Sequence, residues 1–135
     1  MARVSAWFVR TSLCHLACGF AIGALMLANK GLLFAAWPWS LRGAHIEMLL
    51  MGWMVQMVMG VAIWIFPRFG MRQTSPDGAV TAWLAFGLLN SGVVLVCLGG
   101  PGPGVAAGRL LEIGAAACFA VHLWRRVSPA GIAPR

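Results

Sequence analysis

The sequence predicts an all-α integral membrane protein, a four-helix bundle whose two termini lie in the cytoplasm. Of its 135 residues, 61% are hydrophobic and only 10% are charged, whereas about a quarter of the residues of a soluble domain carry a charge. Apolar runs of roughly 20 residues, the length of a membrane-spanning helix, occur four times along the chain. Basic residues stand at the ends of these runs, as topology determinants do.

The four runs define one domain that covers residues 1–135. The predicted spans are residues 8–29, 44–66, 79–99 and 104–124. The first link contains Trp37 and Trp39, which suit the aromatic belt at a membrane interface. The second link, PRFGMRQTSPDG, is the most polar stretch, and the third, GGPGPG, is a tight turn. The first run is longer than the apolar core of a signal peptide, so we predict that it is a retained helix.

The distribution of basic residues predicts the orientation. One side of the membrane collects Arg3, Arg10, Arg68, Arg72, Arg125, Arg126 and Arg135. The other side collects Lys30, Arg42 and Arg109. The positive-inside rule then places both termini in the cytoplasm of a bacterium, with the chain as a multi-pass protein of the inner membrane. The net charge of +7 does not indicate nucleic acid as a partner, because these residues form no basic stripe with interleaved aromatics.

The second span carries polar residues that an apolar helix does not need. On a helix, the residues that share a face with His45 are Leu49, Gly52, Gln56, Met59 and Ile63. Polar groups within a membrane usually face the interior of the bundle. A histidine above a glycine leaves a flat space beside the helix, and neutral imidazole is a common ligand of haem iron. Met48, on a neighbouring face, would add apolar surface to a haem pocket. The alternative is a packing histidine at the membrane interface.

The stretch HIEMLLMGWMVQMVMGVAIWIFPR resembles the second transmembrane helix of the catalytic subunit of the haem–copper oxidase and nitric oxide reductase superfamily. The matching residues are His45, Gly52, Trp53, Gly60, Trp64, Pro67 and Arg68. The resemblance implies that His45 ligates a low-spin b-type haem near the outer end of the span. It also implies that the chain corresponds to one four-helix arc of that larger subunit. The superfamily's copper ligands and its paired haem histidines have no counterpart here, so a complete oxidase is not implied.

A six-coordinate haem needs a second axial ligand, and three candidates stay open. They are His15 in the first span, His122 in the fourth span, and His45 of another copy of the chain. By helical rise, His15 is expected about 15 Å below His45. His122 is expected at the inner end of its span, where an interfacial or packing role is the alternative. The third candidate predicts a homo-oligomer or a larger membrane complex.

Charged residues near the outer end offer partners for the haem propionates. Arg109 could pair with a propionate, or with Glu112 three residues later on the same helix. Arg42 is a second propionate candidate, although its side chain could instead reach lipid headgroups. Glu47 follows His45 by two residues and therefore points to another face. It could accept a hydrogen bond from a neighbouring chain or carry protons.

Three functions follow from these features. The leading prediction is a haem b protein that transfers electrons, or a haem-bearing subunit of a respiratory complex whose redox partner is unidentified; an electron carrier is favoured over an enzyme. The second is a copper or soft-metal protein, because eight methionines, Cys14, Cys18 and three histidines suit Cu(I). The third is an assembly subunit that binds no cofactor. All four cysteines lie in apolar runs and are predicted to be buried free thiols.

Overall fold

The structure, a computed structural model, describes residues 3–66, 76–99 and 102–124, and within these ranges the chain is helical with no strand. The elements are α1 (Arg3–Leu32), a 3₁₀ turn (Trp37–Leu41), α2 (Arg42–Glu47), a π-helical segment (Met48–Val55), α3 (Gln56–Ile65), α4 (Pro76–Leu98) and α5 (Pro103–Trp124). Four stretches are long and apolar enough to cross a membrane: Arg3–Leu32, Trp37–Ile65, Ala79–Leu98 and Pro103–Trp124. These stretches, called spans 1 to 4 below, confirm the four predicted spans and indicate a multi-pass membrane protein.

The helices extend beyond the apolar runs that predict them. α1 begins at Arg3 rather than at residue 8, because a helix continues into the polar flank of its apolar core. Several basic residues used for the orientation lie outside the described residues, namely Arg68, Arg72, Arg125, Arg126 and Arg135. Pro67, the end of the superfamily-like stretch, lies there too. The orientation of the chain therefore stays a prediction.

Asn29 closes the end of α1. The Leu33 N–H donates to the Asn29 carbonyl oxygen at 2.8 Å, and the Ala35 N–H donates to Asn29 Oδ1 at 3.0 Å. Leu33 has a φ of 48°, the left-handed conformation that usually follows a helix and favours glycine. The buried Asn29 side chain thus satisfies one backbone donor, and its backbone carbonyl a second, at the point where the chain turns towards span 2.

Spans 1 and 2 pack as an antiparallel pair through small residues. Near one end, Ser5 Oγ donates to the Gly60 carbonyl oxygen at 2.7 Å. A Cβ on Gly60 would come 2.8 Å from Phe8 Cβ, and a Cβ on Gly19 would come 2.6 Å from Leu49 Cδ2. The missing side chains therefore allow the close approach, as small residues do between membrane helices.

α4 and α5 approach each other most closely where two glycines cross. A Cβ on Gly92 would lie 2.9 Å from the Gly108 carbonyl oxygen, and a Cβ on Gly108 would lie 2.9 Å from the Gly92 carbonyl oxygen. The two backbones are thus in contact at this crossing. This contact positions the residues of α5 that follow Gly108, including Glu112, against α4.

The two helix pairs meet in a small apolar core. Its buried members are Val4, Phe8, Met59, Ile63, Ala82, Ala85, Leu89 and Ala115. The rings of Phe8 and Phe86 meet edge to face, with centroids 5.2 Å apart. Large apolar side chains outside this core, such as Leu27 and Leu98, point outward and are exposed. A helix that is apolar on every face is typical of a membrane span.

Candidate functional site

The face of span 2 that the sequence singled out is its buried face. Gly52, Gln56, Met59 and Ile63 are all buried. Helical phase from His45 therefore predicted the correct face, although the π-helical segment intervenes. The sequence pattern does not indicate this segment, because its wider turns lie within an unbroken apolar run. Such wide turns are rare and occur frequently at functional sites.

His45 lies at the start of span 2 against the glycine-bearing face of α1. Its Nδ1 is 2.8 Å from the Gly19 carbonyl oxygen. A carbonyl oxygen only accepts, so Nδ1 carries the proton of the neutral ring, and the lone pair is on Nε2. Gly23 provides room for the half-buried ring, since a Cβ there would lie 2.6 Å from His45 Cε1. The backbone of α1 thus fixes both the tautomer and the position of this imidazole.

His15 is held in the same way by span 2. Its Nδ1 lies 3.2 Å from the Gly52 carbonyl oxygen. A Cβ on Gly52 would come 2.7 Å from His15 Cγ. The flat space that the sequence predicted beside Gly52 for a porphyrin is therefore occupied by the ring of His15. Each of the two helices thus places one histidine ring against a glycine of the other helix.

The two histidines lie at different depths in the pair. The His45 ring is next to Gly23, which follows His15 by eight residues on α1. At about 1.5 Å per residue, the rings are separated by roughly 12 Å along the helix. Two axial nitrogens of one iron lie only a few ångströms apart, on opposite faces of the porphyrin. His15 and His45 of one chain therefore do not meet at a single iron.

His122, the third candidate ligand, is buried near the end of α5. Its Nδ1 lies 3.0 Å from Thr81 Oγ1 on α4. The ring is thus part of the contact between spans 3 and 4. A packing role, the alternative that the sequence left open, agrees with this burial.

Gln56 is a fully buried amide within span 2. It lies within hydrogen-bonding reach of the His15 ring, but neither its amide nitrogen nor its oxygen forms a hydrogen bond of good geometry among the described residues. An unpaired buried polar group costs about 1–3 kcal/mol.

We expect Gln56→Leu to raise the melting temperature of the purified protein in detergent, with Met59→Leu as a control for repacking at a buried position. A lower melting temperature would show instead that the amide holds a water molecule or a ligand.

Glu47 lies on the opposite side of span 2 from His45 and contacts α5. Arg109 binds it with two nitrogens, Nη2 to Oε2 at 2.6 Å and Nη1 to Oε1 at 3.0 Å. Arg109 Nη1 also donates to Glu112 Oε2 at 2.7 Å. The predicted pair of Arg109 and Glu112 is thus confirmed, and Glu47 joins it as a third member. We call these three residues the ionic cluster.

The ionic cluster changes what Arg109 can do for a haem propionate. Both of its terminal nitrogens already contact carboxylates. Glu47 contacts the guanidinium through both of its oxygens, so little of the positive charge of Arg109 remains to attract an anionic propionate. Arg42 is exposed at the start of α2, one turn before His45, and is the better candidate for this role. Met48 is half-buried and packs near Gly19, close to the His45 ring.

The pair of Arg109 and Glu112 could be predicted because the two residues are neighbours on one helix. Glu47 was missed because a contact between helices depends on their rotation and crossing, which no spacing shows. One signal was available, since Glu47, Glu112 and Asp77 are the chain's only acidic residues. Two carboxylates inside apolar spans need a cation, and Arg109 is well inside a span.

A copper site gains no support from the cysteines. In the described ranges, no group of three or more His, Cys, Asp or Glu side chains could hold a metal ion. All four cysteines are free, as predicted. Cys14 and Cys18 are exposed on the outer side of α1, which corrects the prediction that they are buried. Burial was expected from their apolar surroundings, but a span has a lipid-facing side that is equally apolar.

Two groups therefore stand at the same end of span 2, on opposite sides of the helix. His45 faces α1 through Nδ1, and Glu47 faces the ionic cluster on α5. The interpretation of both depends on their own geometry and chemistry. No family model, curated protein or solved structure matches the chain.

Proposed function

We propose that this chain is a membrane-embedded protein that binds haem b through His45 and transfers electrons. The observation that carries the proposal is the hydrogen bond from His45 Nδ1 to the Gly19 carbonyl oxygen. Histidines that ligate a metal usually donate their other ring nitrogen to a carbonyl or a carboxylate, which fixes the ring and makes the ligating nitrogen more basic. The resemblance of the stretch from His45 to Arg68 to a haem-ligating helix supports the same role.

The residues around His45 fit a haem in part. The half-buried ring has its lone pair on Nε2, and Arg42 at the same end of the span could pair with a propionate. Gly52 and Gln56 are next to His15, so within one chain they face that ring rather than an open pocket. The haem would supply reversible one-electron chemistry, while the protein supplies the ligand and the apolar surroundings that set its potential.

A second copy of the chain is the proposed source of the other axial ligand. His15 is too far along the helix, and His122 is buried against Thr81 of α4, in the other helix pair. Two copies that face each other at His45 would provide two equivalent imidazoles at one level. We therefore propose a homo-oligomer, or a subunit of a larger respiratory complex, in the bacterial inner membrane with both termini in the cytoplasm.

The absorption spectrum of the purified protein tests this function. We expect reduced α and Soret bands in the wild-type protein after expression with adequate haem supply. His45→Ala should abolish these bands. His15→Ala is the matched control, because His15 also packs on a glycine and donates to a backbone carbonyl. That variant loses a similar packing contact and should keep the bands.

The oligomeric state separates the possible outcomes. The shared-ligand arrangement requires one haem for two chains and a dimer in light scattering. A monomer that still binds a bis-histidine haem would contradict the shared ligand. A colourless protein with stoichiometric copper, or one with neither pigment nor metal, would contradict the haem function itself.

A further inference from the structure

The ionic cluster contains two carboxyl groups but only one guanidinium group. Within the described ranges, Glu47 and Glu112 each form a salt bridge with Arg109 and with no other cation. The two glutamate side chains are only 4% exposed, whereas that of Arg109 is 48% exposed. A carboxylate buried without its own counter-ion is costly, because few solvent dipoles remain to stabilise its charge. The group can avoid this cost by binding a proton.

The geometry distinguishes the two carboxyl groups. Both oxygens of Glu47 accept from Arg109, in the two-point arrangement that suits an ionised carboxylate. Glu112 offers only Oε2 to Arg109, and its Oε1 is buried without a hydrogen-bond partner. The charge of the guanidinium is therefore matched by Glu47. Glu112 can keep its bond to Arg109 as a neutral acid, because the carbonyl oxygen of an acid also accepts.

We propose that Glu112 is a proton-binding site inside the membrane, held by a permanent ion pair of Glu47 and Arg109. The groups that face Glu112 are Glu47 from span 2, Arg109 from its own helix and the Cys97 thiol from α4. Of these, only Arg109 is a cation, and Glu47 already neutralises it. The proposal stands whether or not the chain binds haem.

The position of the cluster gives the proton a source. Arg109 follows the start of α5 at Pro103 by six residues, about 9 Å along the helix. Its side chain is half-exposed near this end of the spans, whereas the two carboxyl groups that it contacts are buried. The proton is taken from water at this end and bound at Glu112, and it returns to the same water when Glu112 ionises. No other reactant is required.

Infrared spectroscopy of the full chain in lipid vesicles tests the proposal directly. Incorporation of ¹³C-carboxyl glutamate shifts only the bands of Glu47 and Glu112, since they are the chain's two glutamates. At neutral pH we expect a shifted carbonyl band from a protonated glutamic acid. The band should be lost in Glu112→Gln and unchanged in Asp77→Asn, which removes the remaining acidic residue. Absence of the band in the wild-type protein, or its persistence in Glu112→Gln, would overturn the proposal.

Thermal unfolding identifies which glutamate carries the proton. Glutamine has the shape and charge of the protonated acid, so Glu112→Gln should leave the melting temperature near that of the wild-type protein. Glu47→Gln removes the anion that binds Arg109 with both oxygens, so its melting temperature should be clearly lower. An equal loss in both variants, or a larger loss in Glu112→Gln, would contradict the assignment of the proton to Glu112.

Discussion

Replacing Arg109 by leucine should cause a large loss of stability. The change leaves two buried glutamate side chains, Glu47 and Glu112, without the cation that both of them contact. Removing one partner of a buried ion pair costs about 3–5 kcal/mol, and we expect a value near the lower limit because Arg109 is half-exposed. Thermal unfolding of the purified protein, followed by circular dichroism in detergent, measures the effect.

Arg42→Leu is the matched control for the loss of an arginine. Arg42 is exposed at the same end of the spans, and among the described residues it has no ion-pair partner. Its removal should change the melting temperature little. If both leucine variants unfold at the same temperature, the ionic cluster does not stabilise the fold.

Alanine at Gly92 should separate α4 from α5. The new Cβ would lie 2.8 Å from Glu112 Cγ and 2.9 Å from the Gly108 carbonyl oxygen. A side chain could rotate away, but a backbone oxygen cannot move unless the whole helix moves. Overpacking of this kind costs about 1–3 kcal/mol. The melting temperature should therefore fall. The displacement of the Glu112 side chain by the new Cβ should also weaken its hydrogen bond with Arg109.

Gly87→Ala, on the same helix, provides the comparison. A Cβ on Gly87 meets nothing within 4 Å. Alanine favours the helix over glycine by up to about 1 kcal/mol, so this variant should unfold at the same or a slightly higher temperature. The two substitutions are chemically identical, and opposite signs would show that the crossing at Gly92 causes the difference. A loss of stability in both variants would mean that alanine is tolerated poorly anywhere on α4.

The number of spans could be predicted from the sequence because it depends on properties that lie along the chain. Length and hydropathy locate a span whatever its neighbours are, so all four spans were found. The buried face of span 2 was also found, because polar residues within a membrane turn inward and His45, Gly52 and Gln56 share one phase. The pair of Arg109 and Glu112 follows from a separation of three residues on one helix.

The contacts between spans could not be predicted in the same way. His15 occupies the space beside Gly52, and Glu47 reaches Arg109, only because of the rotation and vertical offset of each helix. Small residues such as Gly23 showed that a close approach was possible, but several partners fit the same glycine. The sequence therefore identified the buried polar residues of span 2 better than it identified their partners.

The π-helical segment Met48–Val55 sets the angular relation between the two halves of span 2. His45 and Glu47 precede it, while Gln56 and the buried face of α3 follow it. Because the i→i+5 turns of this segment are wider than α-helical turns, loss of a single residue from it would change the rotation of one half against the other. His45 would then leave Gly19, and Glu47 would leave Arg109, in one step. The π-helical segment thus sets the orientation of both the imidazole and the carboxylate relative to the rest of the bundle. An insertion or deletion in it would displace both groups together.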